Sequence, residues 1–249
     1  MTTDSATPAD RVAVVTNATR YAGPGSVAAL GRAGYVVLCH DESFADEAGR
    51  REFEARQEGA VACAGRTPNG AVGQAVKRYG RIDVVVSNDV YPIKYVPVEE
   101  SDTADFRHAA EALLVTPVAV VAKAAAQMKR QGRGHIVLIT SAAPLRPEPG
   151  FSFYSSLRAG ASAFAQAAAR ELAPHGITVN AVAPNFLESE LYYPQALWGT
   201  AEGRQKLRGL LPAGRLGTCE EIGNLVVFLT GGGGDFLTGE VIKFTGGWP

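Results

Sequence analysis

Short apolar runs alternate with longer amphipathic segments along most of the chain. The apolar runs are rich in valine and isoleucine and are bounded by turn-forming residues, which is typical of β-strands. They predict strands at VAVVT (12–16), YVVLC (35–39), AVACA (60–64), IDVVVS (82–87), GHIVLIT (134–140), GITVNAVA (176–183) and EVIKFT (240–245). The segments between them have the helical period and predict helices near 25–33, 43–58, 69–79, 102–131, 151–173 and 218–229.

This order of elements predicts the fold class. Strands that are apolar on both faces are typical of a parallel sheet covered by helices on each side. We therefore predict an α/β fold, a single doubly wound (Rossmann-like) domain with a seven-stranded parallel sheet flanked by helices. A chain of 249 residues without linker or repeat fits one such domain, placed at residues 11–249. Residues 1–10 lack the apolar core of a secretion signal and are predicted to be a flexible tail.

The charge and cysteine content restrict the partners. With 24 basic and 25 acidic residues the formal net charge is -1, which predicts neither nucleic acid nor a membrane as a partner. No run approaches the roughly 18 apolar residues of a spanning helix. The cysteines, Cys39, Cys63 and Cys219, are odd in number and widely spaced, so neither a disulfide framework nor a metal site is predicted. Free thiols indicate a reducing, cytoplasmic location.

The loop after the first strand carries the first functional signal. Ligands of doubly wound folds bind beyond the carboxyl ends of the strands, where this chain reads TNATRYAGPG at 16–25. The loop resembles T-G-x-x-x-G-x-G of the short-chain dehydrogenase/reductase superfamily, whose glycines let the backbone approach a pyrophosphate. Asn17 and Tyr21 stand at the first two glycine positions, and only Gly23 is retained. The phenol ring of Tyr21 is predicted to block the cofactor phosphates.

Gly23 to Ala28 also match the bare string G-x-G-x-x-A. This match begins too far beyond the strand to be a dinucleotide fingerprint. It predicts instead a helix start, with Pro24 in the first turn and glycines as small packing residues.

Two polar residues keep a nucleotide-dependent alternative open. Asp41 follows the second strand, where an acid holds the ribose hydroxyls in NAD-binding relatives. It equally suits a cap of the next helical segment, the interpretation that we favour. Asn88 is retained where the superfamily has N-A-G, but Asp89 and Val90 replace the small residues that leave room for a cofactor.

Acid–base residues follow the fifth strand. Ser141 ends that strand, and Tyr154 and Arg158 lie one helical turn apart on the same face of the helix predicted at 151–173. A permanent cation within about 4–6 Å of a phenol favours its phenolate form. We therefore predict a catalytic set of Ser141, Tyr154 and Arg158. Ordinary superfamily members have lysine in place of Arg158, and arginine is not an equivalent exchange because its planar fork occupies space differently.

The segment after the sixth strand predicts an anion site. The superfamily pattern N-x-x-x-P-G appears here as NAVAPN, with Asn185 in place of the glycine that makes room for the nicotinamide. Pro184, Asn185, Phe186 and Leu187 predict a tight turn whose peptide N–H groups point into the site. With Tyr21 opposite, this turn is suited to a compact monoanion. A substrate loop without anion affinity is the alternative.

Together these substitutions resemble those of the halohydrin dehalogenases over nearly the whole chain. VTNATRYAGPG, CHDESF, VSNDV, GHIVLITSA, PNFL and FTGGWP follow that family in order and spacing, and the combination of Tyr21, Arg158 and Asn185 is specific. The resemblance implies reversible conversion of a vicinal haloalcohol to an epoxide, a halide and a proton, with no cofactor and no metal. Small anions such as cyanide, azide or nitrite would open the epoxide in reverse. It also implies a homotetramer.

The walls of the substrate pocket are a further expectation. They are predicted to include Asn88, Ala143, Pro144, Phe153 and Trp248. Trp248 is placed near an active site, either its own or that of a neighbouring subunit. The catalytic asparagine of the superfamily is missing near Leu113. Two alternatives are an NAD(P)-dependent short-chain dehydrogenase/reductase, favoured by Asp41 and Asn88, and a binding protein without catalysis.

Overall fold

The computed structural model describes residues 11–57, 59–65, 67–92 and 94–249, so the tail predicted at 1–10 lies outside the described residues. The strands form one parallel sheet of seven strands in the order β3-β2-β1-β4-β5-β6-β7. They are β1 (Val12–Val15), β2 (Val36–Cys39), β3 (Ala60–Ala62), β4 (Val84–Asn88), β5 (Gly134–Ile139), β6 (Ile177–Pro184) and β7 (Val241–Phe244). The predicted fold class and every predicted strand are confirmed, with ends that differ by one or two residues.

Helices cover both faces of the sheet. They are α1 (Gly23–Arg32), α2 (Glu47–Arg56), α3 (Pro68–Tyr79), α4 (Thr103–Ala110), α5 (Thr116–Gln131), α6 (Ser152–Leu172), α7 (Gln195–Trp198), α8 (Ala201–Leu210) and α9 (Cys219–Thr230). The helices α7 and α8 lie in a stretch without a sequence prediction. Because Gly203 and Leu207 are the buried residues of α8, this helix has no apolar stripe that the pattern could reveal.

The long helix predicted at 102–131 is interrupted by one π-helical turn, Glu111–Val115, between α4 and α5. Pro117 follows it and has no N–H to donate to the carbonyl four residues earlier, which accounts for the change of winding. Within the described residues, Thr103–Gln131 is the one stretch long and apolar enough to cross a membrane. This is weak evidence, since core helices pass the same test, and Val120, Ala124 and Met128 pack in the largest buried cluster.

The strand order places β1 and β4 side by side at the centre of the sheet. The chain leaves β1 toward one edge and β4 toward the other, so a crevice opens between the two following loops. This topological switch point is where ligands of doubly wound sheets bind. The loop at 16–22, after β1, and the residues at 89–92, after β4, therefore frame the site.

The glycines that open α1 serve close packing. A Cβ on Gly25 would lie 1.8 Å from the backbone oxygen of Cys219 in α9, and one on Gly23 would lie 2.4 Å from the oxygen of Asn17. Pro24 stands in the first turn of the helix. The interpretation of this string as a helix start with small packing residues is thus confirmed. Among the described residues no His, Cys, Asp and Glu side chains form a group that could hold a metal ion.

Candidate active site

Segments that leave β1, β4, β5 and β6 meet at the carboxyl end of the sheet. The side chain of Asn88 donates to the backbone oxygens of Asn17 and Arg20, at 2.9 and 2.8 Å, and joins the β4 and β1 loops. The backbone N–H of Ala142 donates to the oxygen of Pro184 at 3.1 Å and joins the β5 and β6 ends. Tyr21, Ser141 and the turn at 184–187 are thereby brought to one end of the molecule.

Among the described residues, three other than glycine have a left-handed backbone, and all three lie here. Asn17, Tyr21 and Phe186 have φ angles of 46°, 50° and 57°. This region is costly for residues with a Cβ, by about 1–2 kcal/mol for ordinary side chains. Asn17 and Tyr21 keep the conformation expected of the superfamily's glycines while adding side chains to the loop. Such strain concentrates at functional sites.

The ring of Tyr21 fills the space beside the β1 loop. It is only 7% exposed and belongs to the same buried apolar cluster as Leu187. The ring of Tyr192 meets it edge-on, with centroids 5.0 Å apart and planes at 87°. Burial, with the neighbouring phenols of Tyr154 and Tyr192, raises the pKa of Tyr21 well above its usual value. Tyr21 therefore presents a neutral phenol.

Asp41 is fully engaged within the protein. Its carboxylate accepts hydrogen bonds from the backbone and hydroxyl of Thr19, at 3.1 and 2.7 Å, and from those of Ser43, at 3.0 and 2.8 Å. Burial alone would raise the pKa of Asp41, but these hydrogen bonds outweigh it and hold the pKa below its usual value. Asp41 caps the 3-10 turn Glu42–Ala45, so the capping interpretation is confirmed.

A dinucleotide fits these residues poorly. The carboxylate that would bind a ribose has its acceptor sites occupied by Thr19 and Ser43. The position at which phosphates would approach the backbone carries the buried ring of Tyr21. Asn88 is completely buried and holds the β1 loop through its side chain. It therefore has a structural role and does not form the pocket wall that was predicted.

The predicted catalytic residues lie around the end of β5. Ser141 follows that strand and is 8% exposed, and its Oγ accepts a hydrogen bond from the backbone N–H of Ala143 at 3.1 Å. Tyr154, in the first turns of α6, is half-buried. The guanidinium carbon of Arg158 lies 5.1 Å from the centre of the Tyr154 ring. The i, i+4 pair expected from sequence is formed.

Arg158 is fully buried and held by backbone oxygens. It donates from Nη1 to Ile139 at 3.1 Å and from Nη2 to Asp89 at 2.7 Å. Burial disfavours its charge, but the phenols of Tyr154 and Tyr192 outweigh this effect and raise its pKa. The planar fork thus spans the ends of β4 and β5, which a lysine with a single nitrogen would not do.

Asp89 is a second buried ionisable group beside Arg158. The Ser87 hydroxyl donates to its Oδ2 at 2.8 Å, and Oδ1 has no hydrogen-bond partner among the described residues. Burial raises the pKa of Asp89 to about 7, against the opposing effects of Ser87 and the Arg158 charge. The carboxyl is therefore largely protonated below neutral pH in the folded protein.

Asp89→Asn is expected to change how stability depends on pH. The folded-state pKa of Asp89 is above that of an unfolded chain, so the folded protein binds a proton that the unfolded chain releases, and stability falls from about pH 4 to 7. The free energy of unfolding of the variant should not fall in this way. Its difference from the wild-type value should therefore grow by on the order of 2 kcal/mol between pH 5 and pH 8. Urea midpoints at both pH values test this, and equal pH slopes would contradict it.

The predicted anion turn begins at the end of β6. The Asn185 side chain accepts from the backbone N–H of Phe186 at 3.0 Å and from the Tyr193 hydroxyl at 2.6 Å. Leu187 is completely buried, and no acceptor for its backbone N–H lies among the described residues. A buried amide without a partner is rare in proteins. The turn therefore holds one free donor at Leu187 and one, at Phe186, that a rotation of Asn185 would release.

A small cavity of about 30 Å³ lies beside Tyr154, with Leu113, Phe153, Tyr91 and Asp105 among its lining residues. Phe153 of the predicted wall lies here. Ala143 and Pro144 form a 3-10 turn directly after Ser141. Trp248 packs within its own chain, with its ring 6.0 Å from that of Phe186.

Sequence reasoning did not identify Tyr192 as part of the site. Its hydroxyl contacts the backbone of Tyr91, and its ring covers Tyr21. The adjacent pair Tyr192 and Tyr193 in a mostly polar loop is the signal that was available.

Comparison with known proteins places this geometry in context. Residues 25–249 match the family model described as enoyl-(acyl carrier protein) reductase. A solved structure described as a dehalogenation enzyme has a TM-score of 0.92 and 38% identity, covering 96% of this chain and 98% of its own. A halohydrin dehalogenase bound to ethyl (2S)-oxiran-2-ylacetate also has a TM-score of 0.92, with 39% identity over 96% of this chain and 97% of its own. The short-chain reductase protein NovJ of Streptomyces niveus is 31% identical over 100% of this chain and 97% of its own length.

Proposed function

Since the chain belongs to the halohydrin dehalogenase family of the short-chain dehydrogenase/reductase superfamily, we propose that it converts vicinal haloalcohols to epoxides, releasing halide and a proton. In the reverse direction it opens epoxides with small monoanions. The observation that carries the proposal is the buried Arg158 held beside Tyr154, in a crevice where Tyr21 occupies the cofactor's place. These residues supply proton transfer and anion binding without a hydride carrier.

The reaction needs a base for the substrate hydroxyl. Ser141 donates a hydrogen bond to the substrate oxygen and holds it near Tyr154, the base, whose ring lies 5.1 Å from the Arg158 guanidinium carbon. The hydroxyl proton passes to Tyr154 while the oxygen attacks the neighbouring carbon. The new carbon–oxygen bond forms as the carbon–halogen bond breaks, and the halogen leaves with the bonding electrons. Fixed orientation of the attacking oxygen and the carbon that bears the halogen accounts for much of the rate.

Negative charge develops on the leaving halogen and needs donors that are already in place. The free backbone N–H of Leu187 is the first such donor. Rotation of the Asn185 side chain would release the N–H of Phe186 as a second donor and bring its own amide toward the anion. In this proposal Pro184 and the Tyr21 ring complete the walls of the anion nest.

The absence of a redox cofactor is part of the proposal. It rests on the engaged carboxylate of Asp41, the ring of Tyr21 and the replacement of the usual lysine by Arg158. The alternative is an NAD(P)-dependent short-chain dehydrogenase/reductase, which the names of curated relatives such as the short-chain reductase NovJ favour. The homotetramer and the cytoplasmic location stay predictions.

The deciding experiment is a pH-stat and chloride assay with 1,3-dichloro-2-propanol in the absence of nicotinamide. Equal amounts of acid and chloride are expected as the epoxide forms. The alternative function predicts no chloride and a change in absorbance at 340 nm with NADH and a panel of carbonyl compounds. That result would replace the proposal with the reductase assignment.

Tyr21→Gly is expected to weaken inhibition by bromide about tenfold, because the wall of the nest is lost. Glycine suits the left-handed backbone at this position, so the change opens the pocket without backbone strain. Asn17→Gly is the matched control, since it relieves the same conformation at φ 46° outside the nest. Inhibition constants for bromide, measured for both variants, check the prediction. An unchanged constant in Tyr21→Gly would remove Tyr21 from the halide site.

A further inference from the structure

A phenol hydroxyl bridges the two sides of the crevice. Tyr192 lies eight positions beyond the end of β6, and its hydroxyl accepts from the backbone N–H of Tyr91 at 3.3 Å and donates to the backbone oxygen of Tyr91 at 3.0 Å. Tyr91 belongs to the segment that leaves β4. Two segments 101 residues apart in sequence are thus tied through one side chain.

The ring that carries this hydroxyl packs on the proposed halide wall. Tyr192 meets the Tyr21 ring edge-on at 5.0 Å, a favourable geometry for aromatic pairs. Among the described residues, Tyr192 is the one aromatic ring in contact with the Tyr21 ring. The place where Tyr192 is held therefore helps to set the position of Tyr21.

The turn that presents Tyr192 is itself fixed at both sides. The backbone N–H of Tyr192 donates to the Ser189 hydroxyl at 3.1 Å, and that of Tyr193 donates to the Ser189 oxygen at 2.8 Å. Tyr193 points the other way, to Asn185. One short turn thus directs one phenol to the β4 side and the other to the anion turn.

Tyr192 also lies near Arg158, the positive charge beside the proposed base Tyr154. Burial, with the nearby Tyr154 phenol, raises the pKa of Tyr192 to about 12, so its hydroxyl stays neutral and can both donate and accept. The Tyr192 phenol in turn helps to raise the pKa of Arg158. The Tyr192 side chain therefore contacts the Tyr21 ring and also acts on the Arg158 guanidinium.

We propose that Tyr192 is a positioning residue whose hydroxyl bridge to Tyr91 holds the ring of Tyr21 against the anion nest. The inference deepens the proposed function and rests on it. Tyr192 does not touch the reacting atoms in this scheme. It acts through Tyr21, and its effect belongs to anion binding rather than to proton transfer.

The test is Tyr192→Phe, which removes the hydroxyl and keeps the ring. The inhibition constant for bromide should rise roughly threefold to tenfold, the range expected for one buried hydrogen bond, while kcat changes less than about twofold. Tyr35→Phe is the matched control, because the buried Tyr35 hydroxyl also donates to a backbone oxygen, that of Thr230 at 3.3 Å, outside the site. It should leave the bromide constant unchanged.

A double-mutant cycle separates positioning from a general structural effect. If Tyr192 acts through Tyr21, the variant with both Tyr192→Phe and Tyr21→Gly should bind bromide no more weakly than Tyr21→Gly alone. Tyr21→Asn replaces Tyr21→Gly if the glycine variant does not fold, since asparagine tolerates the left-handed backbone. Additive effects, or an unchanged constant in Tyr192→Phe, would overturn the inference.

Bromide binding followed by thermal shift distinguishes this inference from the proposed function. A wild-type protein that binds bromide but releases no halide from haloalcohols would refute the function, while the cycle would still support the role of Tyr192. A wild-type protein that shows no bromide binding would refute both.

Discussion

Tyr154→Phe is expected to lower halide release from a chloro- or bromo-alcohol by about three orders of magnitude or more. General base catalysis typically contributes 10²–10⁴-fold, and without the phenol oxygen the substrate hydroxyl has no acceptor for its proton. The ring should keep its place, because Tyr154 packs with Leu113 and Leu157 and stands edge-on to Phe151 at 5.8 Å. The loss should therefore appear in kcat and leave stability nearly unchanged.

The measurement is initial-rate chloride or bromide release, with urea midpoints and circular dichroism as checks on the fold. Tyr79→Phe, at the end of α3, is the control for loss of a phenol hydroxyl outside the site. Activity of Tyr154→Phe near that of the wild type would show that another group accepts the proton.

Arg158→Gln is expected to lower kcat at neutral pH at least about a hundredfold, the lower limit of the contribution of an acid–base group. The positive charge now lies 5.1 Å from the Tyr154 ring, so its loss should move the rising limb of the pH–rate profile to higher pH. A glutamine amide can still donate to one of the two carbonyls, those of Ile139 and Asp89, that Arg158 now binds.

Arg158→Lys is the matched comparison. It keeps the charge but not the fork, so it should retain part of the activity and show a smaller shift of the pH profile. Full pH profiles of kcat for the three proteins, with urea midpoints, make the test. If Arg158→Gln lowered stability but left the shape of the pH profile unchanged, Arg158 would have only a structural role.

The proposed catalytic pair and the strands could be predicted from the sequence because both depend on short-range patterns. Tyr154 and Arg158 are one helical turn apart, and any helix through them places the two side chains on one face. The strands are continuous apolar runs that only a covered parallel sheet buries. Helix α8 was not predicted, because Gly203 and Leu207 are the only buried residues among its ten.

The residues of the proposed halide site were named from sequence, but the hydrogen bonds among them were not. The pattern NAVAPN placed Asn185 at the turn, yet the hydrogen bond from the Tyr193 hydroxyl to its side chain depends on a turn eight residues downstream. Asp41 presented the same difficulty. Its cap to Ser43 is local, but Thr19, which occupies its other oxygen, lies 22 positions away, and no local pattern relates the two.

The sequence by itself determined the parallel α/β fold, the Ser141, Tyr154 and Arg158 set, and the substitution of the cofactor loop by Asn17 and Tyr21. These features follow from periodicity and from residue types at fixed spacing, which local backbone geometry translates directly into position. Only the tertiary structure decided that Arg158 is fixed by the carbonyls of two strands, that Asp89 is buried beside it, and that Tyr192 crosses the crevice to Tyr91. Such contacts join segments far apart in sequence, and their partners are set by how the sheet and its loops pack rather than by any spacing along the chain.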